Sequence, residues 1–230
     1  MPGAIADELN DNGFVVLKNI VPADAMSQLV AAYENATTTA RPEDVHVGKN
    51  NSNTRVGGLV NRPDFDHVYI HPLLLAASDF IIQQPFKLST IHSRTVWPGA
   101  AAQDLHVDFA ADTQGWPMLG FIIMIDEFKS ENGPTRFVPG SHRWSLVPDS
   151  SHVQLAARGP AGSAIIYNGS VWHGYSANRT DEPRRSIQGA YIRRSEKSAN
   201  TYAKQISPET FDRIGDHARY LLDVSRKLEG

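Results

Sequence analysis

Apolar positions fall at helical spacing near the two ends of the chain and in short, punctuated runs through its middle. Ala4 to Asp11 reads as a short helix closed by Asn12-Gly13, and Phe14 to Leu17 as a short apolar strand. Pro22 opens a second helix through about Thr37, with Ala25, Met26, Leu29, Val30 and Tyr33 on one face. Arg41 to Asp66 is polar, rich in Asn and Gly, and weakly periodic, so it reads as a long loop or lid. Pro72 to Gln84 returns to an amphipathic helical pattern.

From Phe86 the texture changes. Leu88 to Trp97, Met118 to Phe128, Thr135 to Val138, Ser163 to Asn168 and Ser186 to Arg193 read as strands, separated by Gly, Pro, Asn and Asp. Pro208 to Leu228 reads as a closing helix. Many short strands after a helical section predict a mainly β fold with flanking α, an antiparallel sandwich or jelly roll braced by helices at both ends. Without repeats, low-complexity tracts or a clear linker, residues 1–230 read as one domain.

Composition narrows the function classes. Hydrophobic residues make up 41% and charged residues 20% of 230, which suits a globular chain with a substantial core. A net charge of −3 offers no broad basic surface for nucleic acid, and no apolar run is long enough to span a membrane. Met1 to Asn10 does not read as a secretory signal, so the expected location is cytoplasmic. The absence of cysteine excludes disulfides, thiolate metal sites and Cys nucleophiles. A bound metal must then be held by His and carboxylate.

His106-Val107-Asp108 is such a pair. In extended chain, residues two apart point to the same side, so the imidazole and the carboxylate converge while Val107 turns away. Alone, the pair is equally a plain hydrogen-bonded couple at a strand end. His173, directly after a predicted strand, changes this: two His and one carboxylate on one face of an octahedron leave three positions open. Arg184 follows His173 by 11 positions and shares a strand face with Ser186, a guanidinium and hydroxyl suited to a carboxylate. Arg185 points to the other face.

The order of His-x-Asp, then Asn132-Gly133-Pro134-Thr135-Arg136-Phe137-Val138-Pro139-Gly140-Ser141-His142, then Trp172-His173-Gly174, then Pro183-Arg184 resembles the phytanoyl-CoA hydroxylase-like family. Asn12-Gly13-Phe14-Val15-Val16-Leu17 is similar to that family's first strand, and the resemblance runs from about Gly13 to Ile192. It implies a double-stranded β-helix (a cupin-like jelly roll) and an oxidoreductase using Fe(2+), 2-oxoglutarate and O2. His106, Asp108 and His173 take the iron-ligand positions, and Arg184 the position that pairs with the far carboxylate of 2-oxoglutarate. Thr95 and Gln103 fall where further cosubstrate contacts occur. Related halogenases lack the carboxylate ligand, so Asp108 disfavours halogenation; some relatives carry Ser where this chain has Tyr175.

His92, Phe109, Trp116 and Arg55 are the candidate substrate contacts, and His142 belongs to a structural turn. The expected substrate is a small organic molecule of natural-product type. Hydroxylation is the default outcome, and desaturation, cyclisation or endoperoxide formation stay open. A homodimer is left open too. The rivals are a non-redox cupin-like isomerase or sugar-binding module, which has no need of the Arg184 clamp, and a non-catalytic interaction domain, which has no need of an intact triad.

Overall fold

The computed structural model describes residues 1–149 and 151–225. The chain opens with α1 (Gly3–Asn12), which Gly13 ends in a left-handed conformation, then β1 (Phe14–Leu17) and α2 (Met26–Thr38). β2 (Val45–Val47), β3 (Asn53–Val56), α3 (Asp66–Tyr69) and α4 (Pro72–Ile82) follow. The strand-rich half holds β4 (Phe86–Val96), β5 (Met118–Met124), β6 (Thr135–Phe137), β7 (Leu155–Ala156), β8 (Ala164–Asn168), β9 (His173–Tyr175) and β10 (Arg184–Arg193). α5 (Tyr202–Gln205), α6 (Pro208–Arg213) and α7 (Asp216–Leu221) come last.

Seven antiparallel strands form the major sheet in the order β1-β8-β5-β10-β4-β3-β2, and β7-β6-β9 form a smaller one. β5 (Met-Leu-Gly-Phe-Ile-Ile-Met) and β8 (Ala-Ile-Ile-Tyr-Asn) are buried throughout, because both faces of the sheet are covered. Leu119, Phe121 and Ile123 of β5 and Ala164 and Ile166 of β8 pack on the helices, with Leu29, Tyr33, Leu74 and Ile81. The alternate residues Ile122, Met124, Ile165 and Tyr167 meet Phe14, Phe137 and Val171 on the inner side. This is the mainly β, helix-braced architecture expected, with the jelly-roll core between the two sheets.

Several boundaries differ from expectation, among them the start of α2 at Met26 and the end of β5 at Met124, and three further differences shape the architecture. Residues 41–66 are not a free loop: β2 and β3 extend the major sheet by pairing β3 with β4, and Leu59, Val60 and Phe65 are buried beneath. β10 starts at Arg184 rather than Ser186, since Arg184 pairs with Val96. The closing helix is divided, α6 ending at Arg213 and α7 starting past Gly215; the part expected beyond residue 225 lies outside the described residues. No helix among the described residues is long and apolar enough to cross a membrane.

Candidate metal centre

His173 stands at the first position of β9, and His106 lies beside it, each donating its backbone N–H to the other's carbonyl at 2.9 Å. Asp108 sits two residues on, in a bend held by the turn after β8: the Gly169 carbonyl accepts from the N–H groups of both Asp108 and Phe109, at 2.9 and 3.1 Å. The Ser170 hydroxyl donates to the Phe109 carbonyl at 2.8 Å. Residues far apart in sequence are thereby fixed by main-chain bonds rather than by the metal.

The geometry suits one divalent ion. Nε2 of His106 is 3.6 Å from Oδ1 of Asp108, and Nε2 of His173 is 3.6 Å from Oδ2. One donor atom from each residue lies within 4.8 Å of the others. Nδ1 of His106 faces the Asp104 carbonyl at 3.1 Å and Nδ1 of His173 faces the Val171 carbonyl at 2.9 Å. A proton on each of those nitrogens satisfies its carbonyl and leaves both Nε2 lone pairs turned inward. Two neutral imidazoles and a carboxylate are the donors a non-haem iron takes. Burial holds the His173 imidazole below its usual range. Burial opposes the Asp108 carboxylate, but the two imidazoles beside it, His106 first, and the Tyr167 hydroxyl outweigh it and hold its pKa down to about 2. The Tyr167 hydroxyl donates to Oδ2 of Asp108 at 2.7 Å.

Residues 9–186 match the model of the family described as phytanoyl-CoA dioxygenase. The chain belongs to that family. Its expected enzyme class, an iron and 2-oxoglutarate dioxygenase, stands with the membership. It is 28% identical over 205 residues to dioxygenase trt7 of Aspergillus terreus, covering 81% of this chain and 71% of that one. It is 30% identical over 200 residues to dioxygenase olcK of Penicillium canescens, covering 78% and 66%. In fold it is similar to the non-heme alpha ketoglutarate dependent epimerase SnoN from nogalamycin biosynthesis, with TM-score 0.72, 18% identity and coverage of 83% and 81%. It is likewise similar to HygX of Streptomyces hygroscopicus, solved with nickel, 2-oxoglutarate and hygromycin B, with TM-score 0.73, 14% identity and coverage of 86% and 90%.

A cavity of about 370 Å³ opens onto the dioxygenase's triad between the two sheets. Arg55, His92, Gln103 and Phe109 line it together with His106, Asp108 and His173. Burial, then the charges of Arg94 and Arg55, push the His92 imidazole down to about 3, and its Nε2 is buried with no partner. It therefore presents an uncharged ring to the cavity.

Four other expected contacts fall elsewhere. Thr95 faces the opposite side of β4 from His92, and its hydroxyl lies 2.9 Å from that of Tyr33 on α2. It braces a helix and lies off the cavity lining. Trp116 is not on the cavity wall: its Nε1 donates to the His142 carbonyl at 3.3 Å, and its ring packs on the His142 ring. Arg184 and Ser186 are on the inner face of β10 but have no exposed surface, so they stand behind the wall rather than on it. His142 is the structural residue expected, buried and within 3.1 Å of the Asn10 carbonyl through Nε2.

Sequence reasoning missed Arg94, Gln188, Tyr167 and Thr135, all of which line the cavity. Strand alternation carries the signal for two of them. Arg94 is two residues from His92, and Gln188 two from Ser186, so each shares its neighbour's face.

Proposed function

We propose that the chain works as one domain, a dioxygenase holding iron(II) through His106, Asp108 and His173 and oxidising a small organic molecule. The observation that carries it is the convergence of two inward Nε2 atoms and one ionised carboxylate on a walled cavity. Iron bound there with 2-oxoglutarate and dioxygen supplies the oxidising power.

The protein supplies position, charge and dryness. Arg184 and Ser186 are the anchor for the cosubstrate's far carboxylate. Arg184 is fully buried, its Nε has no partner, and its guanidinium lies over the face of Phe128 at 4.2 Å with one donation, at 3.4 Å, to the Ser186 hydroxyl. Burial and the Arg94 charge push its guanidinium down to about 9, a sign of a cation lacking a counter-ion. Gln103, whose N–H donates to the Tyr175 carbonyl at 2.9 Å, lines the same cavity. Phe109, Met118, Ile122 and Ile192 form an apolar wall on the other side, which suits a hydrocarbon portion of the substrate. His92, neutral and with its Nε2 unpartnered, is placed to hydrogen-bond a polar group on it, and Arg55 stands exposed at the mouth.

Hydroxylation is the default outcome, and a natural-product substrate is in keeping with SnoN's place in nogalamycin biosynthesis. The reading places the enzyme in the cytoplasm, where reducing conditions prevail. The non-redox cupin-like alternative gains nothing from the family match.

Anaerobic iron(II) plus 2-oxoglutarate is expected to give a weak visible charge-transfer band, lost in His106→Ala and Asp108→Ala. Iron bound to the intact protein with no band on adding 2-oxoglutarate sinks the cosubstrate assignment.

A further inference from the structure

Arg94 is not among the residues the sequence singled out, yet it is the guanidinium that reaches the cavity while Arg184 stays behind. β4 and β10 run antiparallel, with Ser186 opposite Arg94. Arg94 therefore lies one strand across and one step along from Arg184, on the same inner face. Both belong to one polar chain. Arg184 Nη1 donates to the Ser186 hydroxyl at 3.4 Å, Gln188 Nε2 donates to the same hydroxyl at 3.3 Å, and Arg94 Nη1 donates to Gln188 Oε1 at 3.2 Å.

Among the described residues, no carboxylate contacts Arg94. Gln188 is an amide, the Tyr175 ring beneath the guanidinium at 5.0 Å is uncharged, and Nε is buried without a partner. Among the described residues neither Arg94 nor Arg184 forms an ion pair with a carboxylate. Directly across β3 from Arg94 stands Arg55, so like charges face each other. Such a pairing is unfavourable by itself, and burying an unpaired cation costs more still. Two guanidiniums held this way, a few side chains from a metal triad, form a receptor for an anion that arrives with the cosubstrate.

We infer that Arg94 and Arg184 clamp the far carboxylate of 2-oxoglutarate together, with Arg94 the nearer contact and Ser186 and Gln188 setting the spacing between them. This rests on the cosubstrate assignment proposed above. Two donors at different depths give the pocket a gauge for chain length. A shorter dicarboxylate meets Arg94 alone, 2-oxoglutarate is shared by both arginines, and a longer one reaches Arg184 without help from Arg94. Charge-assisted hydrogen bonds of this kind are strong because neither partner keeps water.

Calorimetric titration of the nickel-loaded protein tests this without turnover. Wild type should bind 2-oxoglutarate, and Arg94→Met should bind it about 10- to 100-fold more weakly, the loss of one charge-assisted contact. Arg94→Lys should fall between. Binding of 2-oxobutyrate, which has the same metal-chelating end and no far carboxylate, should be alike in wild type and Arg94→Met. The ratio of 2-oxoadipate to 2-oxoglutarate affinity should rise in Arg94→Met, since only the deeper arginine is left. Nickel stoichiometry, measured first, should be the same in all three proteins. Equal 2-oxoglutarate affinity in wild type and Arg94→Met overturns the clamp. So does an equal loss for 2-oxobutyrate, which marks a merely structural role. Wild type that binds nickel but no 2-oxoglutarate overturns the cosubstrate assignment itself, and the clamp with it.

Discussion

At the scale of single residues, the proposed metal ligands are legible because their chemistry is in the side chain and their spacing allows convergence. His106 bridges to His173 on β9, and Asp108, two residues on in a bend, completes the set. Thr95 went astray for an equally local reason. On a strand one position decides the face, and Thr95 and Arg94 point opposite ways, toward α2 and toward the cavity. Tyr167 was hidden because its role is to hold another residue. Its hydroxyl fixes Oδ2 of Asp108, and its ring fits only because Gly120 lies opposite on β5, where a methyl group would overlap it. Tyr167→Phe keeps the ring and removes the hydrogen bond. Metal affinity should fall about 10- to 100-fold, as for other groups that orient a ligand, with little change in folding. A competition titration with nickel reads this directly, and unchanged affinity would show that the backbone alone orients Asp108.

At the scale of elements, β4, β5, β8 and β10 could be read from the sequence, since buried strands show as apolar runs between turn residues. β2 and β3 could not. Their residues, Val-His-Val and Asn-Thr-Arg-Val, carry little apolar pattern because Arg55 serves the cavity mouth and β2 is an exposed edge. Main-chain pairing with β4 defines them, and pairing leaves no mark in composition. The segment after Asp108 shows a related effect. Arg193, almost wholly buried at the end of β10, grips the Asp112 carboxylate with two nitrogens at 2.7 and 3.1 Å. That contact ties the stretch carrying Phe109 back to the major sheet. Arg193→Gln should leave metal binding intact and free this stretch, so that limited proteolysis between residues 109 and 116 runs several-fold faster. Cleavage at the wild-type rate would assign the hold to the Gly169 and Ser170 contacts alone.

For the whole molecule, the fold separates two tasks by sheet face. The outer face of the major sheet meets the helices in an apolar core, where Phe121, Ile187 and Tyr191 carry stability. The inner face spends several positions on groups that weaken a free protein: Arg94, Arg184 and the unpartnered Nε2 of His92. Free protein is therefore the strained partner of a ligand-bound state, and ligand should stabilise the whole chain through linkage. With nickel bound and 2-oxoglutarate at about 100 times its dissociation constant, the gain is about 2.7 kcal/mol, or about 5–10 °C in Tm for a chain of this size. The rise should follow the buried cations rather than the apolar core. Arg184→Gln, at the same 2-oxoglutarate concentration, should lose most of it, because the ligand then leaves its far carboxylate without its deep partner. Phe121→Ala should start from a lower Tm, by about 3–5 kcal/mol of lost packing, and still show the full rise. Thermal melts of the three proteins with and without 2-oxoglutarate separate these effects. An undiminished rise in Arg184→Gln would mean that this arginine serves the packing on Phe128 and not the ligand.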